Sequence, residues 1–195
     1  MSFKYVSADL ETTGIDIDNC DVLEFGAVLD DLKYKQPLKS LPRFHCYFIM
    51  PNNIYKGEPR AMAMHSKIFD RIAAREEGYT YMSPMKLGYS FKRFLIDNGY
   101  ESQKDKVTIN AAGKNFAAFD LQFLNRYTDL SKHVKIRHRI IDPAMLFIES
   151  GDDRLPSLSD CKKRAGLPEE VAHNAIDDAI DVVKLVREGL AYKFM

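Results

Sequence analysis

Two carboxylates near the N-terminus lie two positions apart in a stretch that is otherwise largely apolar. Asp9 and Glu11 belong to the sequence VSADLETTGID, residues 6–16. In a β-strand, successive side chains point to opposite faces, so the two acids share one face. The chain contains no Lys or Arg between Lys4 and Lys33, so neither acid has a cationic neighbour nearby in the sequence. A solvated strand face is the ordinary explanation of such a pair, and other parts of the chain must decide against it.

A third acid interrupts an aromatic stripe. The sequence NFAAFDLQFLNRY, residues 115–127, predicts an amphipathic helix. Its apolar stripe consists of Phe116, Phe119, Phe123, Leu124 and Tyr127. The helical spacing predicts one more apolar residue four positions after Phe116, and Asp120 occupies that position. A carboxylate at the helix edge is the alternative, but Asp is too short to reach water easily from a core position. We therefore expect Asp120 to face the interior.

The last predicted helix, residues 173–192, contains a fourth acid of this kind. Asp178 shares a row with Val182 and Leu185, which predicts apolar surroundings for its carboxylate. The polar stripe of this helix, which we expect to be solvated, consists of Asp177, Asp181, Lys184 and Glu188. Within that stripe, Asp181 and Lys184 are close enough to pair.

Four carboxylates are thus assigned to the interior: Asp9, Glu11, Asp120 and Asp178. Burying ionised carboxylates is costly, and the cost grows when like charges approach one another. A cluster of arginines could neutralise them, but these segments contain almost no basic residues. Divalent cations are the simpler source of positive charge. Oxygen ligands without cysteine favour Mg²⁺ or Mn²⁺ over zinc.

The composition excludes several classes of protein. The chain has 195 residues and a formal net charge of zero, which excludes a strongly basic nucleic-acid coat but not a local basic patch. Its three cysteines show no CxxC spacing, which argues against a disulfide framework or a structural zinc site and favours the reducing cytoplasm. No stretch has the length of a membrane span, and no signal peptide is visible. We expect one domain over residues 1–195.

The order of the predicted elements indicates a mixed α/β fold. Three strands come first, at residues 3–10, 22–30 and 43–50, and their short spacing predicts an antiparallel start to the sheet. The later elements are predicted helices at 60–76, 84–97, 115–127, 158–166 and 173–192, and strands at 107–113 and 133–142. Such an order predicts a sheet with helices on its faces.

Three short motifs resemble those of a known family. DLETTG (9–14), NFAAFDLQFL (115–124) and HNAIDDA (173–179) resemble the three exonuclease motifs of the DEDDh 3′–5′ exonucleases. This family includes the proofreading subunit of bacterial replicative DNA polymerases and ribonuclease T. The resemblance covers roughly residues 4–188. It implies a ribonuclease H-like fold, in which three antiparallel strands are followed by parallel strands and helices cover both faces.

The resemblance also implies roles for the acids and for one histidine. Asp9, Glu11, Asp120 and Asp178 would hold two divalent metal ions, Mg²⁺ or Mn²⁺. His173 precedes Asp178 by five residues, as in the family motif H-x-x-x-x-D, and would be the general base. An imidazole suits that task because its ordinary pKa is near 6.5. Judged alone, His173 would be read as a polar residue at a helix N-terminus.

Further residues are implied as substrate contacts. The turn Thr12, Thr13 and Gly14 matches the family's contact to the terminal nucleotide, although it is also simply a turn between strands. The other implied contacts are Met64 and His65, near the base or sugar, and Phe119, which is either a stacking surface or part of the core. The run KHVKIRHR, residues 132–139, could guide a phosphate backbone or be an ordinary solvated face.

The function implied by the resemblance is metal-dependent removal of nucleoside 5′-monophosphates from the 3′ end of nucleic acid. The expected substrate is single-stranded DNA or a frayed or mismatched 3′ end. Alternatives are an exoribonuclease acting on RNA 3′ ends, a nuclease of the same fold that cuts internally, and a non-catalytic nucleic-acid-binding module. The expected partners are nucleic acid 3′ ends, with a polymerase or another replication or repair protein left open, and no membrane.

Overall fold

The centre of the protein is a long antiparallel hairpin. A computed structural model describes residues 2–169 and 174–191. Strands β1 (Lys4–Thr12) and β2 (Val22–Asp31) pair along their lengths, with Lys4 opposite Asp31 and Thr12 opposite Val22. Nearly every residue of β2 is buried, which is typical of a strand that is covered on both faces.

The remaining strands either extend the hairpin or form a second, smaller sheet. They are β3 (Arg43–Phe48), β4 (Tyr81–Met82), β5 (Ser102–Gln103), β6 (Lys106–Ile109), β7 (Ala111–Ala112) and β8 (Val134–Ile136). One sheet has the order β4-β3-β2-β1-β7, and a second has the order β5-β6-β8. β2 and β3 are antiparallel, whereas β7 runs parallel to β1 and β8 runs parallel to β6. The predicted fold class, antiparallel strands followed by parallel ones, is confirmed.

Helices cover both faces of the sheet. They are α1 (Pro59–Met64), α2 (Ser66–Ala74), α3 (Leu87–Asp97), α4 (Asp120–Tyr127), α5 (Leu130–His133), α6 (Leu158–Arg164) and α7 (Ala175–Gly189). Leu10 and Phe25 pack in one apolar cluster with Phe91 of α3 and Leu124 of α4. Tyr5 and Val28 belong to a second cluster, which includes the apolar side of α7.

Alternation along the hairpin decides which residues face α7. Odd-numbered residues of β1, from Tyr5 to Glu11, point toward this helix, and the hydroxyl of Ser7 donates a 2.7 Å hydrogen bond to the carbonyl oxygen of Ala179. Asp9 and Glu11 therefore lie on the same face as α7. The period-2 prediction for these two acids is confirmed.

One predicted helix begins later than expected. The segment predicted as a helix over 115–127 becomes helical only at Asp120. Asn115 adopts a left-handed φ of 56°, and its backbone N–H donates to the carboxylate of Asp142 at 2.9 Å. Phe119 also has non-helical backbone angles. The prediction that Phe116 and Phe119 continue the helical stripe is therefore wrong, because a turn anchored to Asp142 precedes the helix.

Two other predicted elements are interrupted. The helix expected over 60–76 is divided into α1 and α2 at His65, which has non-helical backbone angles. The strand expected over 133–142 is limited to β8, after which the chain leaves the ladder and returns at Ile141, opposite Ala112.

Across the part of the chain that the structure describes, every helix is too short or too polar to cross a membrane.

Candidate active site

Three of the predicted acids meet at one end of the hairpin. Single carboxylate oxygens of Asp9, Glu11 and Asp178 all lie within 4.8 Å of one another. Asp9 and Glu11 project from the carboxyl half of β1, and Asp178 projects from the first turn of α7. Three oxygen donors at this spacing could hold a metal ion.

A glycine allows α7 to approach the strands. Gly26 of β2 lies directly opposite Asp9 in the ladder. A Cβ atom at Gly26 would lie 2.4 Å from the carbonyl carbon of Ala175, the first residue of α7, which is closer than non-bonded atoms can approach. Any side chain at Gly26 would therefore displace the end of the helix that contains Asp178. Gly26 determines how near the helical acid comes to the strand acids.

Asp120 joins this cluster from a different element. It is the first residue of α4, only 4% exposed, and the backbone N–H of Leu10 is near enough to lower the pKa of its carboxylate. Leu10 lies between Asp9 and Glu11, so the start of α4 lies beside the acidic segment of β1. The prediction that Asp120 is buried is confirmed, although the predicted helical stripe is not the reason for it.

The electrostatics show that the acids repel one another. Burial is the first cause of a raised pKa at Asp9, followed by the charges of Asp120, Glu11 and Asp178. Burial and the charge of Asp178 also raise the pKa of Glu11 to about 8. Burial raises the pKa of Asp120 to about 7, against the lowering effect of its backbone hydrogen bonds. Among the described residues, no Lys or Arg forms an ion pair with Asp9, Glu11 or Asp120.

A fifth carboxylate lies behind this cluster and was not predicted. Glu24 of β2 is opposite Glu11 in the ladder, is fully buried, and contributes to the raised pKa values of Glu11 and Asp9. One of its oxygens lies 2.5 Å from Nε2 of His45, whereas its Oε2 has no hydrogen-bond donor within the described residues. An acid in the apolar run VLEFGAVLD is the same signal that identified Asp9, and it could have identified Glu24.

These observations fit a divalent cation. The carboxylates supply only hard oxygen donors, their mutual repulsion favours added positive charge, and a buried oxygen of Glu24 remains without a donor. Such a donor set suits Mg²⁺ or Mn²⁺. The divalent cation that the sequence predicts therefore has a place in the structure.

His65 has an unexpected position. Its Nε2 lies 3.3 Å from Oε2 of Glu11, and the side chain is buried. The family resemblance implies a contact of His65 with the base or sugar, which stays a prediction, and the structure places the imidazole against Glu11, a predicted metal ligand. The preceding Met64 is 54% exposed and is available to a substrate.

The Thr12–Gly14 turn is held from within the protein. The hydroxyl of Thr12 donates to the carbonyl oxygen of Gly14 at 2.7 Å. Thr13 is fully buried, and its hydroxyl accepts from the backbone N–H of Asp21 at 2.7 Å and donates to the carbonyl oxygen of Lys56. The turn thus follows directly on Glu11 in a fixed conformation. Both hydroxyls already have partners inside the chain.

Of two further predicted residues, one has a clear position and the other is not described. Phe119 is half-buried immediately before Asp120, and its ring lies 5.1 Å from that of Phe123, so it packs against the core. His173, the predicted general base, lies outside the described residues.

The expected solvated stripe of α7 is wrong at one position. Asp177 is exposed, as predicted. Asp181, however, is buried between two ammonium groups, those of Lys162 and Lys184, the second at 2.6 Å. Lys162 belongs to α6, so a helix distant in sequence covers this part of the stripe.

Comparisons with known proteins give a match in structure only. No family profile matches the chain, and no curated protein matches its sequence. Among solved structures, S. pombe Pop2p in its Mg²⁺- and Mn²⁺-bound form is similar, with a TM-score of 0.61 over 97% of this chain and 84% of that chain. The chain has a ribonuclease H-like fold. Because the identity is 16%, the likeness to Pop2p is one of fold.

Proposed function

We propose that the protein is a metal-dependent 3′–5′ exonuclease that releases nucleoside 5′-monophosphates. The observation that carries the proposal is the meeting of Asp9, Glu11 and Asp178 within 4.8 Å at one end of the central hairpin, with Asp120 near enough for its charge to raise the pKa of Asp9. The motif order and the likeness to Pop2p, whose structure contains Mg²⁺ and Mn²⁺, support it.

The four acids would hold two divalent ions. When bound, such a pair lowers the pKa of a water molecule and neutralises charge on both oxygens of an in-line phosphoryl displacement. The protein's contribution is to keep four carboxylates converged despite their repulsion. The ladder fixes Asp9 and Glu11, the start of α4 places Asp120 beside Leu10, and Gly26 admits Asp178.

His173 is proposed as the general base that removes a proton from the attacking water. It immediately precedes Asn174, whose side chain caps α7 by accepting from the backbone N–H of Asp177 at 3.0 Å. The partial positive charge at a helix N-terminus disfavours a protonated imidazole, which supports a neutral base at pH 7.

The proposed contacts to the terminal nucleotide are Thr12, Thr13, Gly14, Met64, His65 and Phe119. Because the two threonine hydroxyls have internal partners, we propose that this turn acts mainly through its backbone. His65 is proposed to orient Glu11 while Met64 contacts the base.

The proposed substrate is single-stranded DNA or a frayed or mismatched 3′ end, with RNA 3′ ends as the alternative. A cytoplasmic location is part of the proposal, and three free, buried cysteines support it. Action beside a polymerase or another replication or repair protein is the alternative to independent action.

The test is parallel digestion of matched 5′-labelled single-stranded DNA, RNA and 3′-mismatched duplex with Mg²⁺ or Mn²⁺. We expect stepwise shortening from the 3′ end, slowed by a blocked 3′ end and stopped by EDTA. Cleavage of a circular strand at an equal rate would refute an exonuclease. Binding without cleavage of any substrate would favour the non-catalytic alternative.

A further inference from the structure

A run of cations lies along a free edge of the sheet. β8 is the last strand of the order β5-β6-β8, so its outer side has no partner strand among the described residues. Lys132, Lys135, Arg137 and Arg139 lie on or beside this strand and are all exposed. Residues 130–141 contain no Asp or Glu. We name these four residues the basic edge.

The positive charge of the basic edge is not neutralised by the rest of the described chain. Within residues 2–169 and 174–191, none of the four cations forms an ion pair, whereas Arg126, Arg164 and Arg187 each contact a carboxylate. A concentration of unpaired cations on a chain of zero net charge produces a local positive potential.

The directions of the strands place the end of the basic edge at the same end of the molecule as the acids. β8 runs parallel to β6, β6 is followed at once by β7, and β7 runs parallel to β1. The carboxyl end of β8 therefore points toward the same end of the molecule as the carboxyl half of β1, which contains Asp9 and Glu11. Beyond the basic edge, Ile141 rejoins the sheet, its N–H donating to the carbonyl oxygen of Ala111 at 2.9 Å.

The chain then contacts the loop that precedes Asp120. The carboxylate of Asp142 accepts from the N–H of Asn115 at 2.9 Å, and a small surface pocket between Ile140, Asp142 and residues 113–118 marks the junction. Asn115 is five residues before Asp120. The two hydrogen bonds made by Ile141 and Asp142 thus connect the chain that follows the basic edge to the loop that precedes Asp120.

A groove beside the basic edge has the chemistry of a binding surface for single strands. A cavity of about 220 Å³ lies between α4 and β8. Leu121, Val134 and Ile136 give it apolar walls, and Lys106 and Lys135 also line it. Leu121 immediately follows Asp120. Proteins that bind single strands combine a positively charged groove, which follows the phosphate backbone, with a surface against which the bases pack, most often an aromatic one.

We propose that the basic edge binds the phosphate backbone of single-stranded nucleic acid on the 5′ side of the nucleotide being removed. The direction of the strand rests on the proposed exonuclease function, but the binding itself does not. A duplex is a poorer occupant, because the edge and its groove offer contacts to one backbone and to unpaired bases.

The binding test compares two charge-matched double variants. Lys135→Gln with Arg137→Gln removes two cations of the basic edge. Lys35→Gln with Lys39→Gln removes two exposed cations from the β2–β3 loop, which lies at the opposite end of the hairpin from Asp9 and Glu11. Fluorescence anisotropy of a labelled single strand of about 20 nucleotides is measured in EDTA over a range of salt concentrations.

Each phosphate contact of a single strand contributes about 0.7 to the slope of log affinity against log salt. We therefore expect the basic-edge variant to lose about 1.4 from the magnitude of that slope, and the control to match the unmodified protein. Equal slopes in the two variants, or no binding by the unmodified protein, would overturn the proposal.

A cleavage test separates this proposal from the exonuclease proposal. The ratio of kcat/KM on the strand of about 20 nucleotides to kcat/KM on a dinucleotide should fall about tenfold in the basic-edge variant, because a dinucleotide has no distant phosphates. The control variant should keep the ratio of the unmodified protein. Failure of all cleavage would refute the exonuclease, while the anisotropy result would still decide the binding surface.

Discussion

On the face of the hairpin that contacts α7, the carboxylate at one end has an arginine partner, whereas the strand acids at the other end have no Lys or Arg partner among the described residues. At one end, Asp30 of β2 receives two hydrogen bonds from the guanidinium of Arg187, at 2.9 and 2.5 Å, and a third from the hydroxyl of Tyr5 at 2.8 Å. At the other end, Asp9 and Glu11 lie together with only the imidazole of His65 as a described ion-pair partner. The same helix, α7, contributes Arg187 to the first group and Asp178 to the second.

The difference separates carboxylates that are compensated within the chain from those that we propose to hold metal ions. Asp30 is compensated within the chain, as is Asp181 between its two lysines, so neither needs a ligand. The acids at the other end have raised pKa values because the chain supplies no such compensation. The chain neutralises Asp30 and Asp181 with its own cations but leaves the acids around Asp9 and Glu11 to repel one another. We infer that an external cation neutralises this last group.

The largest effect should come from removing a charge at the uncompensated end. Asp178→Asn is expected to lower kcat about a thousandfold, because a lost metal ligand costs several kcal/mol of transition-state stabilisation. The neighbouring substitution Asp177→Asn is the matched control, since Asp177 is exposed and lies in the same helix turn, where its backbone N–H donates to the capping side chain of Asn174. Comparable losses in the two variants would contradict the division of α7 into a buried acid and a solvated one.

The second prediction concerns the compensated end, where a substitution should lower stability and leave kcat unchanged. Arg187→Met should destabilise the protein by about 3 kcal/mol, because it leaves the carboxylate of Asp30 buried without its cation. Its kcat per folded molecule should stay unchanged, as measured at a temperature where the variant is fully folded. Urea unfolding measures the free energy of unfolding. The control is Arg126→Met, which breaks the exposed ion pair of Arg126 with Asp18 and should change that free energy little.

A third prediction tests the spacing between helix and strand. Gly26→Ala should lower kcat about a hundredfold, since a shift of about 1 Å in a catalytic group has costs of this order. The displaced element is the end of α7 that contains Asp178. Gly151→Ala is the control for a glycine change in open space, and its effect should be confined to stability, because its φ of +106° strains an alanine. A normal kcat in the Gly26→Ala variant would show that Gly26 does not set the distance between α7 and the strand acids.

The smallest expected effect concerns pH and metal. Because the folded-state pKa of Glu11 is raised to about 8 and that of Asp120 to about 7, the folded protein favours their protonated forms. These groups stabilise the metal-free protein at low pH, and that stability is lost as the pH rises from their ordinary pKa values near 4 through the raised values of about 7 to 8. Thermal unfolding in EDTA should therefore show a Tm that falls over this range.

Added Mn²⁺ should oppose that fall, since it replaces the bound protons. At ten times its Kd, the metal should add about 1.4 kcal/mol at pH 8 and less at pH 5. Glu11→Gln is the matched variant, and both the fall and the metal effect should shrink in it. A Tm in EDTA that rises with pH would show that these acids are not buried together.

The sequence predicts the local part of this site well. The shared face of Asp9 and Glu11 follows from strand alternation, and the burial of Asp178 follows from helical spacing, because both depend on residues a few positions away. Asp120 is buried for a different reason from the one predicted. The left-handed turn at Asn115 depends on Asp142, 27 residues further along the chain, and no local pattern reveals it.

Contacts between distant elements account for the features that the sequence did not reveal. Asp181 belongs by spacing to a solvated stripe, but Lys162 of α6 covers it from 19 residues away. Glu24 was overlooked although it interrupts an apolar strand, because its importance depends on facing Glu11 across the ladder. His65 contacts Glu11 across 54 positions of sequence, a contact that arises only in the folded chain.

The position of β1 has a consequence for how the site comes apart. β1 is paired with β2 along its whole length and with β7 at Val6 and Ser7, so the amide protons of this central strand should be among the slowest in the protein to exchange with solvent. Asp178 lies in the first turn of α7, and helix ends fray in local events that need far less free energy. The acids on β1 therefore persist as a fixed template, and the lifetime of the complete site is set by the opening of a single helical turn.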